Sequence, residues 1–229
     1  MALVIDVLPT PLVDPAITNL GILNSITLLV FYLNGFNHGS IIILVCEKGI
    51  SIMAIDGLVI VYTGGGKGKT TAALGMALRA IGYDHKVCMI QFIKGSWHYG
   101  EMDSSKKLAP GFELVAVGKG FVGILDDNSP KEDHEKYAEE AMKICKEKIL
   151  SDRYDLVILD EINYAVNLGL INSSSVIDLI KIKPDRLDLV LTGNHAKVEI
   201  IELADLVTEM KEVKHPFRSG IKAKKGIDF

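Results

Sequence analysis

Cysteine, aromatic residues and positive charge are all scarce in this chain. It has three cysteines, one tryptophan, 7% aromatic residues and a formal net charge of −4. Cys46, Cys88 and Cys145 lie far apart and lack the spacing of a metal site. Cys88 and Cys145 fall in apolar runs, so we expect buried free thiols, which suits a reducing, cytoplasmic compartment. The negative charge argues against a nucleic-acid-binding protein.

Basic residues are almost absent from the first fifty-one positions, where Lys48 is the single positive side chain. The apolar run Ile17–Leu33 approaches the length of a membrane span but contains polar residues, among them Asn19 and Asn24. It also lacks the flanking Lys or Arg that would orient a span, and no positive region precedes it as in a secretory signal. We therefore expect no membrane association, with an anchor as the less favoured alternative.

A compact domain of ordinary design could begin at Met53, which opens the run MAIDGLVIVYTGGGKGKT. Our hypothesis divides the chain into an atypical apolar extension, residues 1–52, and a functional domain, residues 53–229. Under this hypothesis, residues 1–52 are sequence translated from upstream of a start at Met53, and they lie outside the functional domain.

The chain is organised around Leu58–Thr71, which reads LVIVYTGGGKGKTT. A β-branched apolar run, a glycine-rich turn and an Ala/Leu/Met pattern predict a strand, a loop and a helix, the context of a phosphate-binding loop. In such a loop, backbone N–H groups and the helix N-terminus face the phosphates. The pattern predicts these phosphate-binding residues: Gly64, Gly65, Gly66, Lys67, Gly68, Lys69, Thr70 and Thr71.

Thr63 departs from the common form of this loop, GxxxxGK[ST], which has glycine at that position. A flexible Gly/Lys turn without a ligand is the alternative. The placement of GKGKTT between a strand and a helix favours nucleotide binding, with Lys69 on the phosphates and the Thr70 hydroxyl on Mg²⁺.

A second motif, Asp155–Glu161 (DLVILDE), is an apolar strand that ends in two carboxylates. This is the Walker-B pattern, in which carboxylates at a strand tip hold Mg²⁺ directly or through water. We assign Asp160 and Glu161 to the metal. The same pair has a second interpretation, because a carboxylate here polarises water in hydrolytic ATPases.

Three side chains, Trp97, Phe121 and Arg79, each allow two interpretations. Trp97 lies in a polar loop after the predicted strand Lys86–Phe92, where it contacts a ligand or caps the core. Phe121 lies in Gly118–Leu125, which follows the predicted strand Phe112–Val117 and forms a lid or an apolar plug. Arg79 is either a surface cation near a helix end or a nucleotide contact.

Several separated motifs together resemble the P-loop type of ATP:corrinoid adenosyltransferase. They are TGGGKGKTTAALGMALRA, QFIKGSWHYGE, EINYAVNLGLI, LDLVLTGNH, LADLVTEM and the tail VKHPFRSGIKAKKGIDF, in that order. The resemblance covers residues 57–229. It implies a mostly parallel, doubly wound α/β sheet with P-loop topology.

The resemblance also implies the reaction. A Co(I) corrinoid attacks the 5′ carbon of ATP, triphosphate leaves, and the product serves adenosylcobalamin synthesis or salvage. It implies Mg²⁺, with Mn²⁺ as a substitute, a flavoprotein electron donor and a homodimer. ATP would bind with its γ-phosphate deep in the loop, which would account for Thr63.

Residue by residue, the resemblance adds roles to those given by the motifs. Lys69, Thr70 and Glu161 become the catalytic group, and Arg79 becomes a contact to ATP. Phe121 and, more weakly, Trp97 fall on the corrinoid side, where Phe121 would help to strip the lower axial ligand from cobalt.

The chain departs from the family at Gly65, where members have an acidic residue or Asn, and at Gly123, where many have tryptophan. Asn194-His195 also replaces a common arginine-containing turn. Two rivals remain: a hydrolytic ATPase or small-molecule kinase on the same fold, and a non-enzymatic nucleotide switch that docks a partner.

Overall fold

A computed structural model describes residues 29–32, 41–46, 49–54, 56–93, 98–117 and 131–228. The chain divides into two compact units, residues 1–56 and residues 57–229. Each unit carries its own β-sheet.

The first unit contains an antiparallel sheet that the sequence did not lead us to expect. Its three strands, in the order β1-β2-β3, are β1 (Leu29–Tyr32), β2 (Ile41–Cys46) and β3 (Gly49–Ala54). β1 falls within the apolar run considered as a membrane span, and Met53 falls inside β3. Among the residues described, no helix is long and apolar enough to cross a membrane.

The second unit is built on a parallel sheet of six strands in the order β6-β5-β7-β8-β4-β9. The strands are β4 (Val59–Thr63), β5 (Val87–Gln91), β6 (Phe112–Ala116), β7 (Leu156–Asp160), β8 (Asp188–Thr192) and β9 (Leu206–Glu209). The expectation of a parallel α/β sheet is confirmed, as are the predicted strands that correspond to β4, β5, β6 and β7.

Helices connect these strands. They are α1 (Lys69–Ile81), α2 (Gly100–Leu108), α3 (Lys131–Leu150), α4 (Ile162–Asn167), α5 (Ser173–Ile182) and α6 (Val198–Ile201), with a 3₁₀ helix at Pro216–Ser219. Sequence reasoning predicted α1 but missed α2. The sequence of α2, GEMDSSKKL, has no apolar stripe, and none of its side chains is fully buried, so it lacks the periodicity that marks a helix.

The inner strands of the sheet are buried on both faces, as is typical of an all-parallel sheet, while the edge strand β9 is exposed. Every residue of β5 and of β7 is buried. On one face, Ala73 and Ala77 of α1 pack with Met89 and Ile158. Alanines one helical turn apart carry only a methyl group, so the helix axis can approach the strands closely.

Cys88 and Cys145 pack together in the core on the opposite face, which confirms the expectation of buried free thiols at these two positions. Burial raises the pKa of the Cys88 thiol to about 12, and the nearby Glu113 carboxylate adds to the rise. Burial also raises the pKa of Cys145 well above its ordinary value. Both thiols are therefore protonated at neutral pH, and a thiol is a weak nucleophile.

We predict that neither Cys88 nor Cys145 reacts with iodoacetamide in the native protein at pH 8, and that both react fully in denaturant. Peptide mass spectrometry after a short labelling pulse measures this. Rapid labelling of either cysteine without denaturant would contradict the burial described.

Candidate functional site

The loop between β4 and α1 is closed around the side chain of Lys69. The Lys69 ammonium donates hydrogen bonds to the carbonyl oxygens of Gly64 and Gly66, both at 2.8 Å. Burial lowers the pKa of this ammonium, while the Glu161 and Asp160 carboxylates act in the opposite direction. A partly desolvated cation thus lies inside a ring of backbone groups, which is the arrangement that a polyphosphate binds.

Glycine is required at specific positions of this loop because another segment of backbone runs against it. The Gly66 N–H donates to the Met210 carbonyl at 2.7 Å, and a Cβ on Gly66 would lie 2.8 Å from the same oxygen. A Cβ on Gly64, whose φ is +95°, would lie 2.5 Å from it. By contrast, a Cβ on Gly65 would meet nothing within 4 Å.

Thr63, the departure from the common loop pattern, has a structural role in this protein. Its side chain is buried, and its hydroxyl oxygen accepts a hydrogen bond from the backbone N–H of Ala196 at 3.1 Å. Ala196 belongs to the turn after β8, so Thr63 ties the start of the phosphate loop to the neighbouring strand connection. A glycine at this position could not make that bond.

Asp160 ends β7 and is fully buried. Its Oδ1 accepts hydrogen bonds from the Thr70 hydroxyl at 2.9 Å and from the Thr192 hydroxyl at 2.7 Å. Thr192 ends β8, which lies between β7 and β4. The acidic strand and the phosphate loop, although separated by a strand, therefore meet through this one carboxylate.

Glu161 differs from Asp160, because its side chain lines the cleft rather than lying buried beneath it. Its backbone is left-handed, with φ 63° and ψ 18°, at the start of α4. This conformation costs a non-glycine residue about 1–2 kcal/mol. The Glu161 N–H donates to the Thr192 hydroxyl at 2.9 Å, which helps to hold the turn.

The loop opens onto a cleft of approximately 560 Å³. Three parts of the chain line it: the loop and the start of α1 with Glu161, the helix α2, and the C-terminal tail. The lining residues are Gly65, Gly66, Lys67, Gly68, Lys69, Thr70, Thr71, Glu161, Gly100, Glu101, Ser104, Gly226, Ile227 and Asp228.

Sequence reasoning missed the last two of these parts. Lys67 forms an ion pair with Asp228, whose other carboxylate oxygen accepts from the Lys224 N–H at 2.7 Å. The sequence of the tail is typical of a solvated basic segment. Its one carboxylate side chain near the end, Asp228, is the only local indication of a role at the site. Nothing in the spacing of α2 or the tail links either of them to the loop.

The structure gathers most of the residues expected at the site, but not all of them. Gly64 faces Met210 behind the loop, and Asp160 lies below the cleft. Arg79 is exposed in the last turn of α1, roughly 15 Å along the helix from Lys69, and does not line the cleft. Phe121 and Trp97 lie outside the described residues.

Across the parts of the chain that the structure describes, there is no group of three or more His, Cys, Asp or Glu residues that could hold a metal ion. A cation at this site would need the Thr70 hydroxyl and oxygens from a bound phosphate, with Glu161 nearby, as in other phosphate-loop proteins.

The chain is similar to known corrinoid adenosyltransferases. The family model for ATP:corrinoid adenosyltransferase BtuR/CobO/CobP matches residues 55–229. A corrinoid adenosyltransferase of Sinorhizobium sp is 42% identical over 175 residues, which cover 76% of this chain and 80% of the relative. One of Escherichia coli strain K12 is 36% identical over 173 residues, 76% of this chain and 86% of the relative.

Among solved structures, the chain is similar to a KaiC-like protein of Pyrococcus horikoshii OT3 at 16% identity, with a TM-score of 0.41 over 69% of this chain and 75% of that one. A similarity at this level carries no conclusion about the site.

We predict that Gly66→Ala and Gly65→Ala behave differently although they are neighbours. The added methyl at position 66 meets backbone, which cannot move aside cheaply, so unfolding free energy should fall by about 1–3 kcal/mol. At position 65 the methyl meets open space, so the change should stay within about 0.5 kcal/mol. Urea unfolding of both variants measures the difference, and equal stabilities would contradict the close approach of Met210.

Proposed function

Because the chain belongs to the ATP:corrinoid adenosyltransferase family, we infer that it is an enzyme that transfers the adenosyl group of ATP to a corrinoid in cobalamin synthesis. The observation in the structure that best supports this is the bond from Thr70 to Asp160, because it joins the phosphate loop to the acidic strand at one cleft.

The reaction we propose is a single displacement at the 5′ carbon of ATP. The Co(I) centre of the reduced corrinoid supplies the electron pair, the cobalt–carbon bond forms, and the bond from C5′ to the triphosphate oxygen breaks. Cobalt is formally oxidised from Co(I) to Co(III), and triphosphate leaves with the bonding electrons. Such a step needs no protein nucleophile, only a held nucleotide and stabilisation of the leaving charge.

We assign that stabilisation to the loop. Lys69 and Lys67 place two cations at the cleft beside the loop residues Gly65 to Thr71. The Lys69 ammonium is partly desolvated, so its interaction with a phosphate oxygen is stronger than it would be in water. Phosphate oxygens would replace the Gly64 and Gly66 carbonyls as partners of its N–H groups.

The donor set also suits Mg²⁺, and Mn²⁺ in its place. Since the Thr70 proton is committed to Asp160, the lone pairs of the Thr70 oxygen can face a cation. Glu161 adds a carboxylate at the cleft, and hard oxygen donors are what Mg²⁺ prefers. The ion would neutralise charge on the triphosphate. Asp160, whose oxygens already accept hydrogen bonds, would act on it through Thr70 or water.

The remaining assignments rest on the family resemblance. We propose that residues 53–229 form the catalytic domain, which includes the whole family match, and that Phe121 and Trp97 contribute to the corrinoid side. We further propose a cytoplasmic homodimer that receives its corrinoid reduced by a flavoprotein. Arg79 remains a proposed nucleotide contact.

We predict that the protein, assayed anaerobically with ATP, Mg²⁺ and reduced cobalamin, forms a cobalt–carbon bond and triphosphate, and that Lys69→Ala lowers this activity at least a hundred-fold. The visible spectrum of the corrinoid and phosphate analysis measure both products. Release of ADP or orthophosphate from ATP without corrinoid would instead support the hydrolytic or kinase alternative. Full activity of Lys69→Ala would contradict the role of the loop.

We predict that Asp228→Asn lowers the KM for ATP by about two- to five-fold, the range expected for a partly exposed ion pair, and leaves kcat unchanged. A triphosphate oxygen bound at Lys67 would lie beside the Asp228 carboxylate and be repelled by it. The matched control is Glu212→Gln, which removes a carboxylate paired with Arg218 on the same tail but outside the cleft. A raised KM in Asp228→Asn would show that Asp228 assists binding.

A further inference from the structure

A line of buried hydrogen bonds runs from Tyr99 to the base of the cleft. The Tyr99 hydroxyl donates to Gln91 Oε1 at 2.6 Å, and Gln91 Nε2 donates to Asp160 Oδ2 at 3.1 Å. Gln91 and Asp160 are directly paired in the β5–β7 ladder, so both side chains leave the sheet on the same side. Gln91 and Asp160 are fully buried, and Tyr99 is 5% exposed.

Chemistry fixes the direction of every bond in this line. An ionised carboxylate only accepts hydrogen bonds, so the Gln91 amide must turn its NH₂ group towards Asp160. The Gln91 oxygen then faces Tyr99, whose hydroxyl must donate. If the amide were rotated by 180°, its oxygen would face the carboxylate, and two acceptors would be in contact.

The line continues from Asp160 to the two residues proposed to be associated with the cation. Asp160 Oδ1 accepts hydrogen bonds from the hydroxyl groups of Thr70 and Thr192. The first bond orients the lone pairs of Thr70, and the second leaves the Thr192 oxygen to accept the Glu161 N–H. The orientation of one carboxylate therefore determines the orientation of the Thr70 hydroxyl and helps to hold the strained turn at Glu161.

Tyr99 connects this line to a wall of the cleft. It is the residue immediately before α2, the helix whose Gly100, Glu101 and Ser104 line the cleft. No phosphate-loop pattern marks it as part of a nucleotide site.

We propose that Tyr99 is a positioning residue for the nucleotide–cation site: through Gln91 it orients the Asp160 carboxylate, and through Asp160 it orients Thr70 and Glu161. The inference rests on the proposed function, because it assigns to Tyr99 the preorganisation of the site that binds ATP with its cation. Tyr99 itself touches neither nucleotide nor cation in this account.

Tyr99→Phe is the direct test. It keeps the ring and removes the donor, so the buried Gln91 oxygen loses a partner and the amide is held only at its Asp160 end. We expect the gain in ATP affinity that Mg²⁺ provides, measured by calorimetry with Mg²⁺ and with EDTA, to shrink about ten-fold, the size of a lost hydrogen bond to a buried group. Affinity in EDTA should be unchanged, since Lys69 and the loop are untouched.

Tyr154→Phe is the matched control. Tyr154 is also 5% exposed, and its hydroxyl donates to the Glu113 carboxylate, away from the cleft. This variant also loses a buried tyrosine hydroxyl and its hydrogen bond, but its Mg²⁺-dependent gain should equal that of the wild type. A gain in Tyr99→Phe equal to that in Tyr154→Phe would overturn the proposal.

A double variant tests the route. In a Gln91→Leu background, Tyr99→Phe should have no further effect on the Mg²⁺-dependent gain, because the connection is already broken. Full additivity of the two changes would overturn a path through Gln91. If the wild type itself showed no Mg²⁺-dependent gain, both this inference and the cation role under the proposed function would fail. If the wild type is active and gains ATP affinity from Mg²⁺, but Tyr99→Phe and Tyr154→Phe show equal gains, this inference alone would fail.

Discussion

A carboxylate with no access to water must have its charge met by hydrogen-bond donors, and the structure of this site follows from that requirement at Asp160. An unpaired charge at such a depth would be protonated or would unfold the site. Thr70, Thr192 and Gln91 supply donors from three different connections of the sheet. The need to satisfy one buried group therefore draws the phosphate loop and two strand tips into fixed positions.

The parallel sheet makes this convergence possible. Strands that run in one direction end at one edge, and β8 separates the loop strand from the acidic strand. A threonine at the end of β8 can bond towards β7 and at the same time receive the Glu161 N–H. Replacing Thr192 by an apolar residue would remove one donor from Asp160 and the hydroxyl that accepts the Glu161 N–H, while the bond from Thr70 to Asp160 would remain.

Local patterns in the sequence predicted those parts of the site that depend on interactions between residues close together in the chain. A β-branched run before glycines and a carboxylate pair after an apolar strand identified both halves of the site. Contacts between distant segments stayed hidden, because nothing local encodes them: Asp228 against Lys67 and Met210 against Gly66. The sheet of β1 to β3 was missed for different reasons: the apolar run that contains β1 was considered first as a span, and residues 1–52 were set aside as an extension outside the functional domain.

The contact between the phosphate loop and the segment after β9 has a consequence for biosynthesis. Met210 accepts the Gly66 N–H, and the strand before it pairs with β4. On the ribosome, the loop emerges long before β9 has been synthesised. A nascent chain therefore cannot complete its cradle early, and nucleotide capture must await the synthesis of β9 and Met210.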